Sequence, residues 1–213
     1  MLQIANYQKA YSYAPVLTIP QLHLSKGIYW LKGENGAGKT TFLKSVAGLI
    51  PFDGEVSINK ISLRKQRMLY TKNVSFAEAE PVYPVFLTGN DLLRFFRETK
   101  GSNEVIEQKI VTAFGMKSYL QNKIATYSSG MLKKLSLLLA FTGNPKLILL
   151  DEPFITLDIE SISILERLIA ESFENGISIL ISSHQQLELS MGFTTLAIHQ
   201  KTIQEQLHVI PAK

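Results

Sequence analysis

Short apolar and alternating runs open the chain. LQIA (residues 2–5), PVLTIPQLHL (15–24) and GIYWLKG (27–33) predict strands; the last is apolar and closed by glycines, as a buried strand would be. KTTFLKSVAGLI (39–50) predicts a helix ending near Gly48. PFDGEVSI (51–58) predicts a turn and a strand, and NVSFA (73–77) a further short strand. From Ala79 the period changes. PVYPVF (81–86) is irregular and marked by prolines, after which TGNDLLRFFRETKG (88–101), NEVIEQKIVTAFG (103–115) and SSGMLKKLSLLLAFTG (128–143) predict helices, each closing at or near a glycine. KLILLDEP (146–153) returns to strand. A helix is expected over 159–175, with Ile162, Leu165, Ile169 and Phe173 on one buried stripe. ISILISS (177–183) predicts a strand, the residues after His184 a short helix, and TTLAIH (194–199) a last strand.

Strands alternating with helices predict an α/β fold with a largely parallel sheet. The helical block, 79–142, reads as an insertion into one domain spanning 1–213, whose core is 1–78 and 143–213. The composition suits this: 213 residues, 46% hydrophobic and 19% charged, with mean hydropathy +0.09. The net charge of +4 is spread along the chain without a block of like charge, so no nucleic-acid arm is expected. There is no cysteine, which excludes disulfides and thiolate metal sites. The first ten residues hold no apolar segment of the signal-peptide kind. The longest strongly apolar run, LSLLLAF (135–141), is far short of the ~20 residues that cross a bilayer. The chain is therefore expected not to span a membrane itself.

GENGAGKT (33–40) fits G-x-x-x-x-G-K-[ST], between an apolar strand and a helix. Glycines let the backbone wrap phosphate oxygens, and the helix N-terminus faces the anion. Lys39 would then reach the β- and γ-phosphates, Thr40 would ligate Mg2+, and Thr41 could add a phosphate contact. The competing reading is a glycine-rich turn that merely starts a helix, and the full eight-residue pattern argues against it. In KLILLDEP, Asp151 and Glu152 follow four apolar residues. Two acids ending a buried strand need a cation or water. At the carboxyl end of a sheet strand they face the ligand crevice. Asp151 is placed to hold Mg2+, directly or through water, and Glu152 to polarise a water for attack on a γ-phosphate.

Taken in order, these motifs resemble those of the ATP-binding cassette (ABC) ATPases. GENGAGKT matches the family's Walker A loop and LILLDEP its Walker B. YSSGM (127–131) stands where the family's LSGGQ signature lies, FITLD (154–158) resembles its D-loop, and ISSH (181–184) its switch-histidine loop. PFDGEVSI also resembles the segment after the family's first helix. The resemblance implies a RecA-like P-loop NTPase core with an N-terminal antiparallel β subdomain and an inserted α-helical subdomain. It implies ATP held by Gly33, Glu34, Asn35, Gly36, Ala37, Gly38, Lys39, Thr40 and Thr41. It implies a head-to-tail dimer in which Ser128 and Gly130 contact the γ-phosphate of the partner's ATP. Ser128, Ser129, Gly130 and Asp158 would lie at that interface, and His184 would sense the γ-phosphate and orient the attacking water. Adenine in this family stacks on an aromatic residue upstream of the loop. Tyr11 and Tyr13 both qualify by spacing, and Tyr11 is favoured. The chain departs from the family at Ala79, where a glutamine usually stands, with Glu78 and Glu80 as the possible substitutes. It departs again at Tyr127, Ser129 and Met131 of the signature.

The resemblance further implies an ATPase subunit, homo- or heterodimeric, that powers a transporter from the cytoplasmic face of the membrane with a separate integral membrane chain. The aromatics of PVYPVF and DLLRFF would form the docking face, with Phe95 or Phe96 packed inside the helical block. A soluble ABC ATPase acting on nucleic acid or ribosomes is the alternative. A P-loop kinase would leave the signature, D-loop and His184 unexplained, and a purely regulatory cassette would leave Glu152 unexplained. Lys133 and Lys134, in the first turns after the signature, would either add positive potential for phosphate or be solvated.

Overall fold

A computed structural model describes residues 1–12, 14–184, 186, 189 and 191–206. Tyr13 and most of the helix expected after His184 lie outside the described residues. Two sheets organise the chain. The first is antiparallel, built from β1 (Leu2–Tyr11), β2 (Ala14–Leu24), β4 (Asp53–Ile58) and β5 (Ile61–Ser62) in the order β2-β1-β4-β5. The second holds six strands: β3 (Ile28–Lys32), β6 (Val74–Ala77), β7 (Leu147–Asp151), β8 (Ser178–Ser183), β9 (Thr194–His199) and β10 (Thr202–Gln206), in the order β10-β9-β3-β8-β7-β6. β9, β3, β8, β7 and β6 run parallel, and β10 pairs antiparallel with β9.

β1, at ten residues, is more than twice as long as the alternation LQIA suggests, and the reason is local. Leu2, Ile4 and Tyr7 are buried, so the phase slips by one residue between Ile4 and Tyr7. Asn6 sits there with φ 51°, and the pairing with β4 is interrupted between Ala5 and Gln8. Such a bulge re-aims the following side chains. Gly54, opposite, has φ 104°, and a Cβ there would lie 2.3 Å from the Asn6 carbonyl oxygen, so only glycine fits.

The parallel strands are apolar on both faces, as a doubly covered sheet requires. Ile28 and Trp30 of β3, Ile148 and Leu150 of β7, and Ile179 and Ile181 of β8 face one core. That core is shared with α3 (Gly89–Lys100), α4 (Glu104–Ala113), α5 (Ser129–Phe141) and α6 (Ile159–Glu174). Tyr29, Leu31, Leu147, Leu149 and Leu180 face the other, closed by α1 (Lys39–Val46) and the antiparallel sheet. The stripe of α6 runs through Ile164, Leu165, Leu168 and Ile169, with Ile162 and Phe173 at its half-buried edges. The parallel arrangement brings the carboxyl ends of β3, β7 and β8 to one edge of the sheet, where the phosphate loop, Glu152 and His184 follow them. Also present are β5, β10 and the short α2 (Arg67–Asn73), for which the sequence pattern gave no expectation. Among the described residues no helix is long and apolar enough to cross a membrane.

Candidate nucleotide site

The loop of residues 33–38 leaves β3 and enters α1. Gly36 and Gly38 have φ 79° and 101°, a region open to glycine, and Gly38 caps α1 without a side-chain bond, leaving the first-turn N–H groups to an external acceptor. Lys39 is only 8% exposed and its ammonium folds back on the loop. It donates to the carbonyls of Gly33 at 2.7 Å and Glu34 at 3.2 Å, and lies 4.0 Å from Glu152 Oε1. Thr40 donates its hydroxyl to Asp151 Oδ2 at 2.8 Å.

Asp151 is buried at the end of β7, and its second oxygen accepts the Ser182 hydroxyl at 2.5 Å. Both carboxylate oxygens are thereby oriented. Glu152 turns off the strand with φ 43°, a conformation a glutamate adopts only when held there. Its N–H donates to the Ser182 carbonyl at 3.1 Å and hydroxyl at 3.2 Å. Its carboxylate then reaches Lys39 on one side and His184 Nδ1, at 3.0 Å, on the other. Ser182 holds both acids. It lies within ISSH (181–184), but that motif marks His184; the role of Ser182 comes from its place on β8, opposite Asp151 in the parallel ladder.

Asn35, Gly36, Gly38, Lys39, Thr40, Glu152 and His184 open on a cleft of about 560 Å³, also lined by Tyr11, Thr41, Ala79, Glu80 and Ile155, while Gly33, Glu34 and Ala37 line the pocket on the other side of the loop. Tyr11 is half exposed, and the Lys9 ammonium stands 4.7 Å from its ring centre. Glu78 is turned away to pair with Lys44 at 3.4 Å, which leaves Glu80 as the acid of that loop facing the cleft. Among the described residues no cluster of three or more metal-ligating side chains occurs. The hard oxygens of Thr40 and Asp151 suit Mg2+ completed by phosphate and water, the usual manner of this ion.

The remaining predicted residues stand apart. Ser128, Ser129, Gly130 and Asp158 do not line the cleft. Ser128 caps α5, accepting the Met131 N–H at 3.2 Å. The Ser128 N–H in turn meets Met131 Sδ at 3.5 Å, so the methionine completes a capping box with a sulfur in place of the usual carboxylate or amide. Asp158 caps α6, accepting the Ser161 N–H at 2.7 Å. That bond, with Lys134 Nζ at 3.3 Å, lowers its pKa to about 2.

The chain matches the family described as ABC transporter over residues 20–155. It is 32% identical over 193 residues to the cytochrome c biogenesis ATP-binding export protein CcmA of Legionella pneumophila, covering 89% of this chain and 96% of that one. The chain belongs to the ABC transporter ATP-binding family. It is an ABC-type ATPase. Among solved structures, the ATP-binding subunit of an ABC transporter superposes with a TM-score of 0.84 and 26% identity, covering 95% of this chain and 88% of that one. A dimeric ATP-binding cassette in a post-hydrolysis state with ADP and Pi shares the fold with a TM-score of 0.81 at 18% identity, over 97% of this chain and 98% of that one.

Within this ABC ATPase the two lysines after the signature behave differently from the sequence expectation. Lys134 is partly exposed, paired with Asp158 and 5.9 Å from the Phe114 ring centre. Lys133 is not solvated: its ammonium is engaged by the carbonyls of Glu78, Ala79 and Asp151. It is fully buried, and burial lowers its pKa to about 8.

Proposed function

We propose that this ATPase drives a transporter as one of a pair of head-to-tail nucleotide-binding subunits. The observation that carries the reading is the division of the site. The cleft holds phosphate-loop residues and Glu152, with Asp151 behind Thr40, while Ser128 and Gly130, at an exposed helix N-terminus, lie outside it and are free to close another copy's cleft. Residues 33–38 cradle the phosphates with backbone N–H groups, and Lys39 exchanges its two carbonyl partners for β- and γ-phosphate oxygens. Thr40 and Asp151 would hold Mg2+, which would supply positive charge against that developing on the phosphates. Thr41 adds a phosphate contact and Tyr11 stacks on the base. Glu152 accepts the proton of the attacking water. His184, hydrogen-bonded to that carboxylate, orients the water and reads the γ-phosphate. Ser128, Ser129, Gly130 and Asp158 form the dimer face, homomeric or heteromeric.

The membrane partner would dock on the cytoplasmic side against Val82, Val85, Phe86 and Phe95, all exposed, beside a groove of about 320 Å³ that Leu49, Phe96 and Lys100 also line. Phe96 packs inward, as one of the two phenylalanines was expected to.

Glu152→Gln tests the reading. A lost general base lowers turnover by about 10²–10⁴-fold. ATP binding should persist, and the mass should double on adding ATP. Parental turnover would mean Glu152 is not the base, and a mass unchanged by ATP would remove the dimer.

A further inference from the structure

We propose that Lys133 is a positioning residue for hydrolysis, clamping the Glu80 loop to the Asp151–Glu152 corner from within the signature helix. This rests on the nucleotide-site reading above. The Lys133 ammonium donates to three carbonyls: Ala79 at 2.9 Å, Glu78 at 3.1 Å and Asp151 at 3.3 Å. An ammonium has three donors, so its capacity is filled. All three acceptors are backbone, and among the described residues no carboxylate lies within 4.0 Å of it. A buried cation held this way is costly compared with an apolar side chain of the same length, so its position asks for a reason beyond packing.

The reason is where the three carbonyls lie. β6 and β7 are laddered from Val74 and Leu147 up to Ala77 and Leu150, and the paired register stops there. Glu78, Ala79 and Asp151 are the next residues, the point at which the two chains part around the cleft. Lys133 spans that gap. It sets the direction of the peptide carrying Asp151 into Glu152, and of the peptides carrying Ala79 into Glu80. Ala79 has only a methyl group and offers no hydrogen bond to do this itself, and Glu78 is engaged with Lys44. The lysine also sits on α5, whose N-terminus is the signature. A displacement of that helix therefore moves the hydrolytic side of the same chain's cleft, not only the partner's.

The test is a double-substitution cycle of Lys133→Gln with Glu80→Ala, read as kcat, the Mg2+ concentration for half-maximal rate, ATP affinity in EDTA, and melting temperature. We expect Lys133→Gln to lower kcat by at least ~10-fold and to raise the Mg2+ requirement, with ATP affinity in EDTA within ~2-fold of the parent; Lys133→Arg should recover part of the rate. The double variant should lose less than the product of the two single losses, because both act through one loop. Should Lys133→Gln not fold, the same cycle is run with Lys133→Arg, which keeps charge and donors but offers a planar fork to three divergent carbonyls. An unchanged kcat and Mg2+ requirement, or losses that multiply simply, overturns the proposal. If Glu152→Gln is as active as the parent, the site reading fails and this inference with it. If Glu152→Gln is inactive and Lys133→Gln is indistinguishable from the parent, only this inference fails.

Discussion

The phosphate-loop side of the molecule and the signature side are built on opposite terms. On the first, the lysine and the two acids are bonded to protein groups: Lys39 with two carbonyls and Glu152, Asp151 with Thr40 and Ser182, Glu152 with His184. On the second, the helix ends are capped and otherwise turned outward, with Ser128, Ser129 and Asp158 exposed. By the proposed reading, the first side holds nucleotide by itself. A capped, outward helix end gains its ligand only when another molecule brings one. The contrast teaches that binding and turnover should separate genetically along the boundary between the two sides.

The largest effect expected is a separation by complementation. Lys39→Ala should weaken ATP binding by at least ~100-fold, since the loop's only ammonium is gone. Gly130→Asp should bind ATP as the parent does yet fail to dimerise, because a carboxylate then meets the incoming γ-phosphate. The fold should accept it: a Cβ at Gly130 approaches nothing closer than the Thr156 carbonyl at 3.4 Å, and an acid suits a helix N-terminus. Mixed together, the two variants form one intact composite site per heterodimer, so ATP hydrolysis by the mixture should reappear at up to about a quarter of the parent rate, taking half the dimers as mixed with one working site each. No recovery, with each variant folded, would break the comparison by making the site belong to one chain.

How much of this was legible in the sequence follows the same division. The phosphate loop is contiguous, so its glycines, Lys39 and Thr40 can be read from spacing, and the acids are marked by the apolar run they end. What spacing cannot give is a partner across the fold. Ser182 reaches Asp151 through strand pairing, and Lys133 reaches three carbonyls from a third element. The full length of β1 is hidden in the sequence because the bulge at Asn6 breaks the alternation that identifies strands. α2 and β10 leave no pattern because each buries a single large side chain, Tyr70 and Ile203, too little to print a period.

A smaller effect concerns the caps. Ser128→Ala removes the acceptor of the Met131 N–H and should cost about 1 kcal/mol, a fall of ~2–4 °C in melting temperature. Met131→Leu loses only a sulfur acceptor and should stay within a few tenths of a kcal/mol. ATP affinity should be unchanged in both, since neither touches the cleft of its own chain; a joint loss of stability and affinity would show that the two sides are not independent. The Asp158 cap differs in its pH response. Its folded pKa, about 2, lies below the ordinary carboxylate value, so its stabilisation is present above about pH 4 and is lost as the pH falls through 2. The gap in melting temperature between the parent and Asp158→Asn should therefore narrow only in acid.

An effect confined to alkaline pH lies at a seam between the helical block and the core. Lys100 ends α3 and donates to the carbonyls of Thr71 at 2.9 Å and Val74 at 2.5 Å, tying the helix to α2 and the start of β6. Burial lowers its pKa to about 8, against about 10.4 in an unfolded chain. Between those values the unfolded state binds more protons than the folded one, so this residue's contribution to stability rises with pH across that window. Below pH 8 the full cost of its charge sits in the folded state. Lys100→Met removes the titration, so the stability of the parent relative to the variant should increase from pH 8 to pH 10, on the order of 1 kcal/mol. Urea unfolding at pH 7, 8, 9 and 10 checks it. Parallel pH profiles would mean that the ammonium is solvated and that the helical block is not tied to the core through it.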